Sequence, residues 1–411
     1  MASERPEDPD QIPTGAELTA LDPKFRTDPH PVLARLRRDA PAHYDKVINR
    51  WVLTRYDDVE GVLRDRTMSI DPHKANEDTY MRLFLPPVGQ AANMLFSDPP
   101  DHTRLRALVN KAFTPRAVER LAPRIRRIIN ELLDPVADGE GFDLIEAFAG
   151  PLPVIVIAEM LGIDPADRDD FKRWSELDVR TFNPFLSEAE RATVSSALAE
   201  RDAYLRRALA RRRAEPRDDL LSALIAAEEA GDRLDDDEIV TMCELLLVAG
   251  NVTTTDLIGN GVWLLLRHPA ELDKLRADPS LIDNTVEEIL RFESPVVQSV
   301  RIPTADVAIR GCPMRRGESV VVFLAAANRD PEVYPQPDRF DVTRRDVRHQ
   351  SFGGGAHFCL GAPLARLEAR LAIGALLERF PLLRLADESP VWRALPVFRG
   401  LAKLRVLTAA P

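Results

Sequence analysis

From about residue 99 to residue 290 the chain is patterned for helix almost without interruption. Leu, Ala, Arg and Glu recur at three- and four-residue spacing through 99–112, 116–133, 187–213, 217–230 and 236–267. A run of that length fits one mainly α domain. Strand-like alternation is confined to 43–45 and 51–54, split by a turn at 47–50, and to 297–309 and 319–326. These pieces are expected to form a small β-rich lobe. Residues 1–16 are polar and Pro-rich and read as a disordered tail, which leaves 17–411 as a single domain without repeats or a linker. The last helix of the run opens on Asp235 and Glu238 in a capping-box pattern and stops near Pro269. That gives roughly 32 residues, or ~48 Å at ~1.5 Å per residue. Its centre holds Gly250 and the β-branched Val252, Thr253, Thr254 and Thr255, weak helix formers where regularity should be greatest. A local widening of the hydrogen-bond ladder is expected there.

The net charge of −11 argues against general nucleic-acid binding, which needs a basic footprint. Three cysteines make no disulfide framework and suit a reducing compartment. No apolar signal segment opens the chain, and no apolar run approaches the ~18–20 residues of a membrane helix. The best, at 151–162, is interrupted by Pro and Glu. A cytoplasmic monomer away from membranes is the expectation.

The stretch SFGGGAHFCLGAPLAR (351–366) holds Cys359 among Gly353, Gly354, Gly355 and Gly361, two residues after His357. A helix follows, marked by Pro363, Leu364, Leu367 and Leu371. Unpaired amides and the dipole at its start favour an anion and should lower the thiol pKa. The glycines allow close approach or positive φ. Three readings stay open: a metal site with one thiolate, a buried thiol in a tight turn, or a nucleophile with His357 as base. Zinc needs about four ligands, and Cys243 and Cys312 stand far off. No nearby pattern offers a carboxylate to orient the base. Elsewhere, Glu288 and Arg291 stand at i, i+3, in isolation the mark of a solvated surface pair.

Together these residues resemble the cytochrome P450 superfamily of haem-thiolate monooxygenases in its soluble bacterial form, over essentially the whole chain. Phe352, Gly353, Gly355, His357, Cys359, Gly361, Leu364, Ala365 and Arg366 match its ligand loop, Glu288 and Arg291 its helix pair, and 328–331 with 337–340 its meander. The resemblance implies a triangular helical prism around a buried b-type haem whose iron is ligated by Cys359; thiolate donation favours O–O cleavage. Phe352 would shield the sulfur, Ala249 and Gly361 would also line the group, and His102, Arg106, Arg301 and His357 would pair its propionates. Glu288 and Arg291 would act structurally, tied to the meander through Arg339. Thr253 matches the oxygen-activating hydroxyl. Val252 stands where the family usually has an acid and cannot transfer a proton. Asn251 is the candidate substitute beside Thr253, while Asp256 is expected to pair elsewhere. Slow or leaky turnover is the expected result, with protons from water or a substrate group, or direct use of peroxide.

The expected substrate walls are Met81, Leu83, Phe84, Leu85, Met94, Leu95, Leu245, Val248, Val296, Val297, Val397 and Phe398, so an apolar, small to medium-sized organic molecule fits. Arg82 either reads a carboxylate or faces solvent. Arg104, Lys111, Arg366 and Arg370 would form a basic rim that steers a separate ferredoxin, itself fed by a reductase. Besides hydroxylation with O2, the alternatives are a peroxide-using or non-hydroxylating enzyme of the same fold, a non-catalytic haem sensor and, more distantly, a cysteine hydrolase.

Overall fold

The computed structural model describes residues 12–85, 93–110, 113–183, 185–229, 232–387 and 389–408. The principal helices are α1 (His30–Asp39), α2 (Tyr56–Arg64), α3 (Asp101–Asn110), α4 (Ala122–Leu133), α5 (Pro151–Met160), α6 (Arg168–Asp178), α7 (Glu188–Ala214), α8 (Asp236–Arg267), α9 (Ile282–Phe292) and α10 (Ala362–Arg379). Five strands, β1 (Ala42–Asp45), β2 (Arg50–Leu53), β3 (Met68–Ser69), β4 (Gln298–Pro303) and β5 (Val320–Phe323), make one sheet in the order β1-β2-β5-β4-β3. Within it β5 runs parallel to β2, with Val321 opposite Val52, and antiparallel to β4, with Val321 opposite Val300. The architecture is the expected one, mainly α with a small β-rich lobe.

The long helix α8 is the spine of the core and packs against α5, α6, α7, α9 and α10. Its capping box forms as expected: Asp235 Oδ1 accepts from the Glu238 N–H at 2.8 Å, and Glu238 Oε2 accepts from the Asp235 N–H at 3.0 Å. The expected widening at its centre does not occur. The helix is regular from 236 to 267, held straight by the helices packed around it, and the Thr253 hydroxyl donates to the Ala249 carbonyl one turn back at 2.7 Å. A widened turn appears instead just before α5, where the Gly150 N–H reaches back five residues to Ile145 O. The apolar stretch at 151–162 is α5, buried on nearly all sides within the main core. Among the described residues no helix is long and apolar enough to cross a membrane.

Two boundaries differ from the sequence reading. The segment 319–326 is a strand only to Phe323; Leu324–Ala327 turns into a short helix. The described part of the expected tail is ordered: the Gly15 N–H donates to the buried Asp45 carboxylate at 2.9 Å.

The β lobe and α9 anchor the meander and, through it, the Cys359 loop. Glu288 and Arg291 are fully buried, so the surface-pair reading fails. Arg291 Nε and Nη2 donate to both Glu288 oxygens at 2.7 and 2.8 Å, while Nη1 donates to the carbonyls of Asn328 and Pro337. The link to the meander does not run through the Arg339 side chain, which is half exposed; only the Arg339 carbonyl takes part. The side chain that completes the cluster is Arg344, donating to Glu288 Oε1 at 3.2 Å. From the meander, the Asn328 amide donates to the Ser351 hydroxyl at 2.8 Å, which in turn donates to Leu290 O at 2.7 Å. That chain of bonds places the start of the Cys359 loop.

Candidate active site

The loop 351–361 is held open by geometry that only glycine adopts at low cost. Gly353 and Gly355 have φ of +67° and +65°, and a Cβ at Gly355 would stand 2.5 Å from the Leu63 carbonyl at the end of α2. The chain then turns so that the Cys359 N–H donates to Phe352 O at 2.9 Å. Amides of Gly361 and Ala362, at the start of α10, point at the Cys359 sulfur. The expected lowering of the thiol pKa is not what the protein alone produces. Burial pushes the Cys359 thiol up, outweighing those two amides and the nearby Arg106 and Arg366 guanidinium groups.

Among the described residues no three His, Cys, Asp or Glu side chains gather into a metal cage, which removes the zinc reading. A nucleophile reading is no better. His357 stacks on His102 with ring centroids 4.0 Å apart and hydrogen-bonds no carboxylate among the described residues. Burial, then the His102 and Arg301 charges, depress His357 to about 3.

Near the sulfur the structure gathers four basic groups, with Asp98 the acid nearby and itself occupied by Ser69, Lys74 and the Ile70 amide. His102 and Arg106 lie on α3; Arg301 comes from β4 and His357 from the loop. His102 is 3% exposed and its Nε2 has no hydrogen-bond partner. Arg301 is buried, donates only to Ser299 Oγ and Val300 O, and is lowered to about 10 by burial. Arg106 donates to Phe358 O at 2.6 Å. Among the described residues none of the four is hydrogen-bonded to a carboxylate. Arg301 is a buried cation with no hydrogen-bonded anion, Arg106 a half-covered one, and the two imidazoles beside them offer further donors, so the cluster fits the two carboxylates of a haem edge. Along the midsection of α8, Leu245, Val248 and Thr253 are only half covered and Ala249 is exposed, although the helix crosses the core. This uncovered stripe is the matching wall for a flat apolar group.

Phe352 is stacked rather than isolated. Its ring packs against His349 and Phe358, and the Arg366 guanidinium lies 4.6 Å from its centroid. Of the expected substrate walls, Val296, Val397 and Phe398 do come together, around Val252, and Val296 bridges Phe398 through the backbone. Val179, Phe182 and Leu395 join this cluster and were not singled out from the sequence; no local pattern marks them. Met81 belongs to the core beneath the sheet with Ile70, Ala75 and Ile302, Val297 faces Phe25 and Phe323, Met94 sits in the main core, and Leu83 points to solvent. Phe84 packs on Tyr80, and Leu85 and Leu95 are half buried. Arg82 donates to the His73 carbonyl and reads no carboxylate.

Asn251 is also placed elsewhere. Its amide is buried and donates to Ser175 of α6 at 2.6 Å, on the opposite side of α8 from Thr253. The expected basic rim does not form as one surface. Arg104 is bound to Glu238 on α8; Arg366 is bidentate to Glu287 at 2.6 and 2.8 Å; Arg370 pairs with Asp283 and Glu119. Lys111 lies outside the described residues.

This geometry, a Cys at a glycine-rich turn under a helix spine, with basic groups beside it and a buried Glu–Arg pair behind, is that of a haem-thiolate oxygenase. The Cytochrome P450 family model matches residues 170–393. Cytochrome P450 107B1 of Saccharopolyspora erythraea is 46% identical over 408 residues, covering 96% of this chain and 98% of its own. Vitamin D(3) 25-hydroxylase of Pseudonocardia autotrophica is 43% identical, covering 93% and 94%. The solved structure of myxobacterial cytochrome P450 CYP267B1 in complex with myristic acid superposes with a TM-score of 0.89 at 41% identity, over 96% of this chain and all of that one. The chain belongs to the cytochrome P450 family. It is a monooxygenase of that family, with bacterial relatives.

Proposed function

We propose that the chain holds a b-type haem with Cys359 as its axial thiolate and inserts one atom of O2 into an apolar, small to medium-sized organic molecule. Electrons come from a separate ferredoxin and its reductase. The observation that carries this reading is the cluster of His102, Arg106, Arg301 and His357, none of them hydrogen-bonded to a carboxylate among the described residues, near the half-covered Cys359. Those four residues would hold the propionates, Ala249 and Leu245 would bound the distal face, and the Gly361 and Ala362 amides would steady the sulfur. When bound, haem supplies oxygen binding and O–O cleavage. The polypeptide binds, orients and keeps water away. Val179, Phe182, Leu395, Val397 and Phe398 exclude water from the roof, and the Thr253 hydroxyl, which donates to Ala249 O, keeps its oxygen free to accept.

Support for an apolar substrate comes from that roof and from the fatty acid and vitamin D(3) in the names of the two relatives. The test is the visible spectrum of the reduced protein with carbon monoxide. A red-shifted thiolate band is expected, and Arg301→Leu combined with His102→Leu should lose most of its haem on gel filtration while keeping that band in the loaded fraction. Protein that takes up no haem would return the cysteine-hydrolase reading.

For the electron donor, the favoured docking surface is a cleft of about 690 Å³ beside the ligand loop, lined by Tyr56, Glu60, Arg64, Arg66, Arg348 and the exposed Phe358, in which Arg64 is paired with Glu60. Arg66 and Arg348 are exposed there. Arg366 and Arg370 are already occupied by carboxylates, which weakens their field. Arg66→Glu is expected to raise the apparent KM for an acidic ferredoxin more than Arg370→Glu does. The gap should shrink in high salt, where exposed charges are screened. Equal effects of the two reversals at low salt would move the docking site away from this cleft.

A further inference from the structure

In this chain the residue at the usual acid position, Val252, is sealed off. It is 3% exposed, within the apolar cluster of Val179, Phe182, Val296, Leu395, Val397 and Phe398. No titratable group of that cluster can bring a proton to Thr253 from this side.

The next acid on the helix behaves differently. Asp256 follows Thr253 by three residues, so the two share a face. Side chains on a helix lean toward its N-terminus, which carries the Asp256 carboxyl back over the turn that bears Thr253. The carboxyl is buried and in contact with the Arg393 guanidinium. The contact is an ion pair without hydrogen-bond alignment. Among the described residues neither Asp256 oxygen accepts a hydrogen bond, and Arg393 Nε and Nη2 donate none. The two charges are compensated by each other in a buried place. Gly400 makes the room: a Cβ there would run into the Asp256 carboxyl. Arg393 itself is 22% exposed. Beside it a narrow cavity of about 10 Å³, space for about one water, is lined by Ala20, Phe25, Trp392, Arg393 and Gly400. Arg393 therefore joins the surface to the buried Asp256 carboxyl, which lies three residues from Thr253 on the same helix face.

We propose that Asp256 is the proton-relay residue of this enzyme, taking protons from the Arg393 side and passing them to the Thr253 hydroxyl. The inference rests on the haem-thiolate reading. Hydroxylation consumes R–H, O2, two electrons from the ferredoxin and two protons, and yields R–OH and water. Each proton that leaves the Thr253 hydroxyl toward oxygen is replaced from Asp256, which recovers it from solvent, so neither residue changes over a cycle. Without substrate, oxygen leaves either as hydrogen peroxide, taking two electrons from the ferredoxin and two protons, or as two waters, taking four electrons and four protons, and a late proton favours the peroxide.

The test uses the haem-loaded protein reduced by a plant-type ferredoxin and its reductase, without added substrate. Oxygen consumed and peroxide released are measured in H2O and D2O. Asp256→Asn should raise the ratio of peroxide to water formed on the order of tenfold, less than a positioned proton donor usually contributes because water still supplies some protons. Its solvent isotope effect should grow, and Asp256→Glu should recover much of the loss. Stability is the separate readout, taken from the haem-free protein. Asp256→Asn alone strands the Arg393 charge and lowers the unfolding midpoint. The double variant Asp256→Asn, Arg393→Met should recover the midpoint but keep the high peroxide ratio. A ratio unchanged in Asp256→Asn, or one that returns to normal together with the midpoint in the double variant, overturns the relay. Failure of the parent protein to show a thiolate band would overturn the haem reading instead, and is seen before any variant is made.

Discussion

Cys359→Ser, loaded with haem, is expected to lose the red-shifted thiolate band completely, while Cys243→Ser and Cys312→Ser keep it at full height. The difference follows from where the three thiols sit. Only Cys359 has amides directed at its sulfur, from Gly361 and Ala362, and two guanidinium groups close enough to favour a negative charge there. Bound to a cationic metal, such a thiol is deprotonated outright, and the upward push of burial is overcome. Cys243 lies in the packed face of α8, where burial raises its thiol to about 12. Cys312 has its Sγ 3.7 Å from Ala42 O in the β lobe. Serine is close to isosteric, so the variant should fold. Circular dichroism on the same sample separates a lost ligand from a lost fold. A thiolate band surviving in Cys359→Ser would end the assignment.

Arg291→Lys is the second large effect, this time on the scaffold. Breaking a buried ion pair by weakening one partner typically costs about 3–5 kcal/mol, since the remaining charge stays buried. Lysine is a poor substitute because an ammonium cannot reproduce a planar fork that is bidentate to Glu288 and also reaches three carbonyls. The variant should therefore unfold at much lower urea and recover little haem. Arg339→Ala is the matched control, expected to stay within about 0.5 kcal/mol because its side chain is half in solvent and its ion pair with Asp341 is long. A lysine variant within about 1 kcal/mol of the parent would show that the pair is dispensable.

What was legible in the sequence was local. The ends of α8, the turn chemistry of the Cys359 loop and the helical register of His102 and Arg106 each depend on residues a few positions apart, and all three appear as expected. What was not legible depends on distant packing. Arg344 meets Glu288 across 56 positions, and nothing in its own neighbourhood announces it. Val179 and Phe182 reach the substrate roof only because α6 folds over α8. Asn251 sits two positions from Thr253 in sequence, but those two steps turn the helix by about 200°, and the amide faces Ser175. The expected rim failed for a related reason: arginine positions alone say nothing of the carboxylates that α8 and α9 bring to them.

The regular path of α8 bears on timing. Because the ladder is unbroken, the Thr253 hydroxyl is parked on the Ala249 carbonyl, and its proton is not aimed at the cavity. Such a bond is worth about 1 kcal/mol net, so the parked rotamer outnumbers a free one by only about fivefold. One χ1 rotation is then enough to switch the residue from a helix brace to a donor. Any group that offers the hydroxyl a single good hydrogen bond of its own is then enough to tip this balance, so the side chain is a toggle and not a fixed brace of α8.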